Sequence, residues 1–256
     1  MRLAAFGDIH GNLPALEAAL DDIEGAGAVD LVWCLGDLAA LGGQPQECIG
    51  RLLSLREELG EEKFKIIGGN TDRYLVTGER LPFSRPQEEA DFAAYRSQVL
   101  SANAIYAWNL TQLNWEVYQF LSKIIGRELR HSVEGYGTVI AFHATPGDDE
   151  AMSLRPDSAE EEAADALLDR QGRLALCGHT HLAMDREVAG WRVINPGSVG
   201  LSFGNPGLAE WALLEWSEGA LEVQLRAVPY DVEAALRQWE ALGYPRLDWI
   251  RERLGV

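Results

Sequence analysis

"RLAAFGDIHGNLPALEAALDDIEG" (residues 2–25) contains a short apolar run, a polar break with two glycines, and then a stretch with helical spacing. "RLAAF" (2–6) has the length and composition of a strand, and "LPALEAALDDIEG" (13–25) has those of a helix. The alternation repeats. "DLVWCLGD" (30–37) is a second apolar run, "PQECIGRLLSLREELG" (45–60) a second helix stopped by Gly60, and "KFKIIGGN" (63–70) a third strand. Strand and helix in strict alternation predict right-handed βαβ units and a sheet covered by helices.

Further along, residues 84–125 change character. They are helical and aromatic, with Tyr95, Tyr106, Trp108, Trp115 and Tyr118. In "TQLNWEVYQFLSKI" Thr111 is the expected N-cap, and Leu113, Val117, Phe120, Leu121 and Ile124 form one apolar stripe. The segment is expected to be a helical insertion in one domain spanning 1–256. Strands return at 137–143, 173–179, 190–197, 210–218 and 220–228, with "SEG" as a hairpin turn between the last two. "DSAEEEAADALLDR" (157–170) is expected to be a helix between two strands, and the tail from Asp231 is helical.

The 256 residues suffice for a substantial core, and 47% hydrophobic with 24% charged content is ordinary for a globular chain. The formal net charge of −18 repels nucleic-acid backbones and anionic membranes, so neither is an expected partner. A small phosphate substrate remains compatible, because a local cation outweighs distant net charge. Three cysteines, Cys34, Cys48 and Cys177, form no disulfide framework. Asp8 interrupts any leader-like apolar core, and no run spans a bilayer, so a cytoplasmic location is expected. "NLT" at Asn109 matches a glycosylation acceptor by chance.

The polar residues cluster at the ends of the apolar runs. Asp8 and His10 follow the first, Asp37 the second, Asn70 the third; His143 follows 137–142, and His179 and His181 follow 174–177. In α/β sheets, functional groups gather at the carboxyl ends of strands. Asp8 and His10 are two apart, as are His179 and His181, so in extended chain each pair would aim two side chains at one point. Carboxylate, imidazole and amide without thiolate is donor chemistry for Mn, Fe, Co, Ni or Zn. Seven side chains exceed the three that a catalytic zinc takes and suit two divalent ions sharing a carboxylate. Asp8 and Asp37 offset only half of the charge of such a pair, so the centre would attract a phosphate anion.

"GDIHGN" (7–12), "GD" (36–37), "GNTD" (69–72), "FHATP" (142–146), "GHTH" (178–181) and "NPGSVG" (195–200), in this order, resemble the calcineurin-like metallophosphoesterases, most of all their compact bacterial phosphodiesterase branch. The resemblance implies a four-layer α-β-β-α sandwich. It also implies that Asp8, His10 and His181 bind a first metal, that Asp37 bridges, and that Asn70, His143 and His179 bind a second. The implied chemistry is in-line attack on phosphorus by a metal-bound hydroxide, with Asp37 and Asn70 at the catalytic position. The expected enzyme is a metal-dependent phosphoric ester hydrolase with a diester favoured; a monoesterase or a protein or nucleotide phosphatase is the alternative, and a non-catalytic scaffold of the same fold is the reading from another class. Many members carry His where this chain has Thr71, and threonine gives no useful proton near neutral pH.

Asn12, Thr71 and Arg155 are candidates for substrate contact, and Arg73 is a further cation near the motif. Asn12 is equally an N-cap, and each arginine is equally a solvated charge. Asp72 and Asn195 are candidates for supporting the ligands from behind, with helix capping and turn formation as their plainer roles.

Overall fold

Every other residue of β1 (Arg2–Phe6) belongs to a different core. Leu3 and Ala5 pack in one apolar cluster, Ala4 and Phe6 in another, and all four are fully buried. A strand apolar on both faces needs cover on both. The computed structural model, which describes residues 1–256, shows what supplies it. A second sheet lies on one side and helices lie on the other.

The first sheet has the order β10-β9-β1-β2-β3. β1, β2 (Leu31–Cys34) and β3 (Phe64–Ile66) run parallel, linked by α1 (Leu13–Gly25) and α2 (Pro45–Leu59), as the alternation predicts. β9 (Leu208–Ser217) and β10 (Ala220–Pro229) add an antiparallel hairpin against β1. Its turn, Glu218 and Gly219, has φ of 51° and 80°, the left-handed pair that a two-residue hairpin requires. The second sheet has the order β4-β5-β6-β8-β7. β5 (Gly137–Ala141), β6 (Leu174–Leu176) and β8 (Trp191–Asn195) are its parallel centre, and β4 (Leu129–Val133) and β7 (Met184–Val188) are antiparallel edges.

Leu3, Ala5, Trp33 and Leu35 meet Val139, Ala141, Leu174, Leu176 and Ile194 between the sheets. Outside the first sheet, Phe6, Val32 and Cys34 are covered by Leu16, Leu20, Ile49 and Leu52 of α1 and α2. Outside the second, Ile140, Phe142 and Ala175 are covered by Ala163 of α6 (Glu160–Asp165) and Leu167. This is the helix-sheet-sheet-helix layering. The helix expected over 157–170 is shorter than that, confined to the six residues Glu160–Asp165. All three cysteines are free, buried members of these cores, and burial pushes their thiols up.

The expected helical insertion is present as α4 (Glu89–Gln112) and α5 (Trp115–Ile124), preceded by α3 (Asn70–Thr77). Val117, Phe120, Leu121 and Ile124 bury the predicted stripe against the first sheet's helical layer. The cap differs from the expectation. Asn114 Oδ1 accepts from Val117 N at 2.9 Å, whereas Thr111 lies in the last turn of α4 and donates to Trp108 O. Asn109 is fully buried in α4: its side chain accepts from Leu41 N (3.0 Å) and donates to Gly42 O (2.7 Å). A glycan has no access to it. α7 (Val232–Ala241) and α8 (Leu247–Arg253) close the chain, with Trp239 packed beneath Gly43.

Candidate metal centre

The seven polar residues from the strand ends come together where the parallel strands of both sheets terminate. Asp8, His10, Asp37 and His181 form one group whose ligand atoms lie within 4.8 Å of one another; Asp37, His143 and His179 form a second. Asp37 belongs to both. Asn70 joins the second through Oδ1, which is 3.1 Å from His143 Nε2 and 3.1 Å from His179 Nδ1.

The pairs Asp8/His10 and His179/His181 do not converge by extended geometry, contrary to the sequence reading. Asp8, His10, Asp37, His179 and His181 all adopt left-handed backbone, with φ between 50° and 67°. Each such residue costs about 1–2 kcal/mol, and Asp and His tolerate the conformation better than most. Interlocked loops hold it. Asp8 N donates to Gly36 O, His10 N to Asp37 O and Gly11 N to Leu38 O, continuing the β1–β2 pairing past the strand ends. Two glycines permit the close approach. A Cβ on Gly178 would stand 2.7 Å from Asp8 Oδ2, and one on Gly69 would collide with Asp37 Oδ1 and the His143 ring.

Backbone carbonyls fix which nitrogen faces the centre. A carbonyl only accepts, so His143 Nδ1 donates to Leu35 O, His181 Nδ1 to Leu201 O and His179 Nε2 to Glu150 O. Their other nitrogens point inward, and the hydrogen bonds behind the rings fix that aim, as they do for metal ligands. His10 Nε2 and His181 Nε2 face each other at 2.9 Å, a contact that needs a shared proton or a cation between them. His10 Nδ1 has no partner. This convergence of carboxylate, imidazole and amide groups fits divalent cations.

The protonation pattern agrees. Burial opposes charge on Asp37, but His143 and His10 hold its carboxyl well below the usual range. Burial likewise works against Asp8, and His181 outweighs it. His10 is pushed down to about 4 by burial and by His181. His143 is buried too, but Asp37 and Asp8 raise it to about 10. At pH 7 His143 thus carries a proton where a cation would sit. Loading with a divalent ion should displace it, so apparent affinity should rise with pH up to about 10. Titration calorimetry at pH 7 in buffers of different ionisation enthalpy should show this proton released; a heat independent of buffer would contradict it.

Around the seven, Asp72 is fully buried and accepts from Leu38 N, Ala39 N and Gly69 N. It thereby caps α3 and ties down the two residues after Asp37. Burial and the Asp37 charge push Asp72 up to about 7, against these donors. Asn195 donates to Gly178 O and Thr180 Oγ1, bracing the backbone of His179. Asn12 caps α1 and gives both amide hydrogens away, to Gly200 O and Tyr230 Oη, so neither is left for a substrate. Thr71 donates its N–H to Asp37 Oδ1, and its hydroxyl is buried without a partner. Arg155 pairs with Asp157 at the surface. Arg73 is enclosed by carboxylates of Asp149, Glu150 and Glu79.

The sequence reading missed Glu150, whose carbonyl orients His179 and whose side chain accepts from Tyr74 and Arg73. A backbone acceptor leaves no residue-type signal. Beside His143, a cleft of about 410 Å³ is lined by Arg73, Arg127, Glu128, Asp148 and Asp149. No helix is long and apolar enough to cross a membrane.

Known proteins resemble this chain in sequence and in fold. An uncharacterized protein of Methanocaldococcus jannaschii is 27% identical over 98% of this chain and 96% of its own length. The crystal structure of a metallophosphoesterase from Sphaerobacter thermophilus aligns with a TM-score of 0.69 at 25% identity, covering 99% of this chain and 98% of that one. A hypothetical protein from Pyrococcus horikoshii shares the fold, with a TM-score of 0.79 at 21% identity over 99% and 98% of the two chains. The family model for the calcineurin-like phosphoesterase superfamily domain matches residues 1–219. With the motifs, the sandwich and the clustered ligand groups in agreement, the chain belongs to the calcineurin-like phosphoesterase superfamily.

Proposed function

We propose that the protein is a dinuclear metal-dependent phosphoesterase that hydrolyses a phosphodiester. The observation that carries this reading is Asp37, one carboxylate shared by two groups of ligands. Asp8, His10, His181 and Asp37 would hold one ion; Asp37, Asn70, His143 and His179 would hold the other. Bound there, two divalent ions of the Mn, Fe, Co, Ni or Zn kind would lower the pKa of a water and neutralise charge on the phosphoryl oxygens.

The chain's own residues set the rest. Two acidic ligands against two dications leave the site cationic, so a phosphate anion is drawn in despite the overall −18 charge. The leaving group meets no imidazole at position 71. The Thr71 hydroxyl can donate a hydrogen bond but gives up no proton near pH 7, and general acid catalysis is worth about 10²–10⁴-fold. Esters with acidic leaving groups are therefore the favoured substrates. Arg73 is held by three carboxylates and Arg155 by Asp157, which leaves phosphate binding to the metal centre.

The test is hydrolysis of bis(p-nitrophenyl) phosphate and p-nitrophenyl phosphate by chelated protein, with and without added Mn²⁺, and with His179→Ala as control. The expected result is Mn²⁺-dependent turnover of the diester, faster than of the monoester and lost in the variant. Faster monoester turnover would make the protein a phosphomonoesterase. Bound metal without turnover of either ester would make it a binding scaffold.

A further inference from the structure

The three histidines braced by carbonyls are not braced alike. Leu35 O, behind His143, directly follows β2 in the sheet core, and Leu201 O, behind His181, lies in a buried turn held by Ser198 Oγ on Leu201 N at 2.8 Å. Glu150 O, behind His179, belongs to the loop that follows His143 on the protein surface. That loop is fixed at its near end by the Thr145–Asp148 bridge and by Gly147 N on Glu128 Oε1. Its far end is tethered from α3. Arg73 donates in parallel to Asp149 Oδ2 (2.9 Å) and Oδ1 (2.7 Å) and to Glu150 Oε1 (2.8 Å), and Tyr74 Oη donates to the same Glu150 oxygen.

Arg73 lies three residues after Asn70 on the same helix. One helix thus presents a ligand of the second metal position at its first turn and clamps the loop that orients another. We infer that Arg73 is a positioning residue for the second metal position, acting through the Glu150 carbonyl on the His179 ring. The inference rests on the dinuclear reading above. It separates His179 from the other braced ligands: His181 at the first position and His143 at the second are braced from buried backbone, whereas His179 at the second depends on a surface clamp. A planar guanidinium suits the task because its parallel hydrogen bonds fix direction as well as distance. Without the clamp, the Nε2–H of His179 loses a fixed acceptor, and Nδ1 loses its aim at Asn70 Oδ1.

The experiment is Mn²⁺ binding to the full chain, wild type against Arg73→Ala and Arg73→Lys, read by equilibrium dialysis and by electron paramagnetic resonance. Wild type is expected to take up two ions with a spin-coupled signal. Arg73→Ala is expected to bind the second ion about 10–100-fold more weakly, the usual effect of an outer-shell change, with the first affinity unaltered and the coupled signal lost at concentrations that saturate wild type. Arg73→Lys, which restores the charge without the fork, should recover part of the affinity. Tyr74→Phe removes the other tether and should weaken the same ion. Two ions bound to Arg73→Ala at wild-type affinity would overturn the inference, as would equal weakening of both positions, which marks general damage. Wild type that binds fewer than two ions would overturn the dinuclear reading and this inference with it.

Discussion

Asp37→Asn is expected to lose both metal positions and all metal-dependent hydrolysis while the protein stays folded. The Asp37 carboxylate is buried, accepts from Thr71 N through Oδ1 at 2.9 Å, and places Oδ2 at 3.6 Å from His10 Nε2 and 3.4 Å from His143 Nε2. The amide can keep the Thr71 contact, so the start of α3 stays in place. It brings no negative charge, and one of its two arms is a donor that would point at a cation. Each position is expected to lose more than the ~10–100-fold that outer-shell changes cost. Metal content after dialysis and turnover of bis(p-nitrophenyl) phosphate are the readouts. A variant that kept one ion at wild-type affinity would show that Asp37 is not shared.

Trp239→Ala should bring the largest loss of stability. The indole is fully buried on α7, donates to Gln44 Oε1 at 3.3 Å, and fills the space in which a Cβ on Gly43 would sit. Removing a buried tryptophan costs about 3–5 kcal/mol, and at this size each kcal/mol lowers Tm by roughly 2–4 °C. A fall on the order of 10 °C is expected for chelated protein in thermal melting. The damage should extend to the metal centre, because Trp239 supports a strained loop. Ala40 and Leu41 have φ of 56° and 67°, and Gly42 packs directly against the carbonyl of His10. A melt unchanged within about 2 °C would show that α7 does not carry this loop.

The polar residues at the strand ends, and hence the seven candidate ligands, were legible in the sequence because each follows an apolar run. The edge strands β4 and β7 were not. "LRHSV" and "MDREV" each set three consecutive polar or charged residues between two apolar ones, charge that discourages an edge from pairing with other chains, and they carry neither a continuous apolar run nor an alternation. The left-handed backbone at five of the seven positions was also hidden. Nothing in Asp or His demands it; it is imposed by loops that donate to one another across the strand ends. Arg73 and Glu150 show the same limit from another side. Their roles depend on which loop crosses which helix, and residue types alone do not encode that.

The strand order has a consequence for how the protein comes into being. β1, the first strand made, is flanked on one side by β9, from residues 208–217, and the candidate centre waits for His181. A nascent chain that has emerged through α3 holds Asp8, His10, Asp37 and Asn70, yet the edge of β1 lies open and the inner face of its sheet is bare. The carboxylates therefore gather before the three imidazoles that complete the set. The second sheet covers that face once residues 129–195 have emerged, and the final hairpin then seals the open edge, which makes its docking the step most sensitive to edge-to-edge aggregation during synthesis.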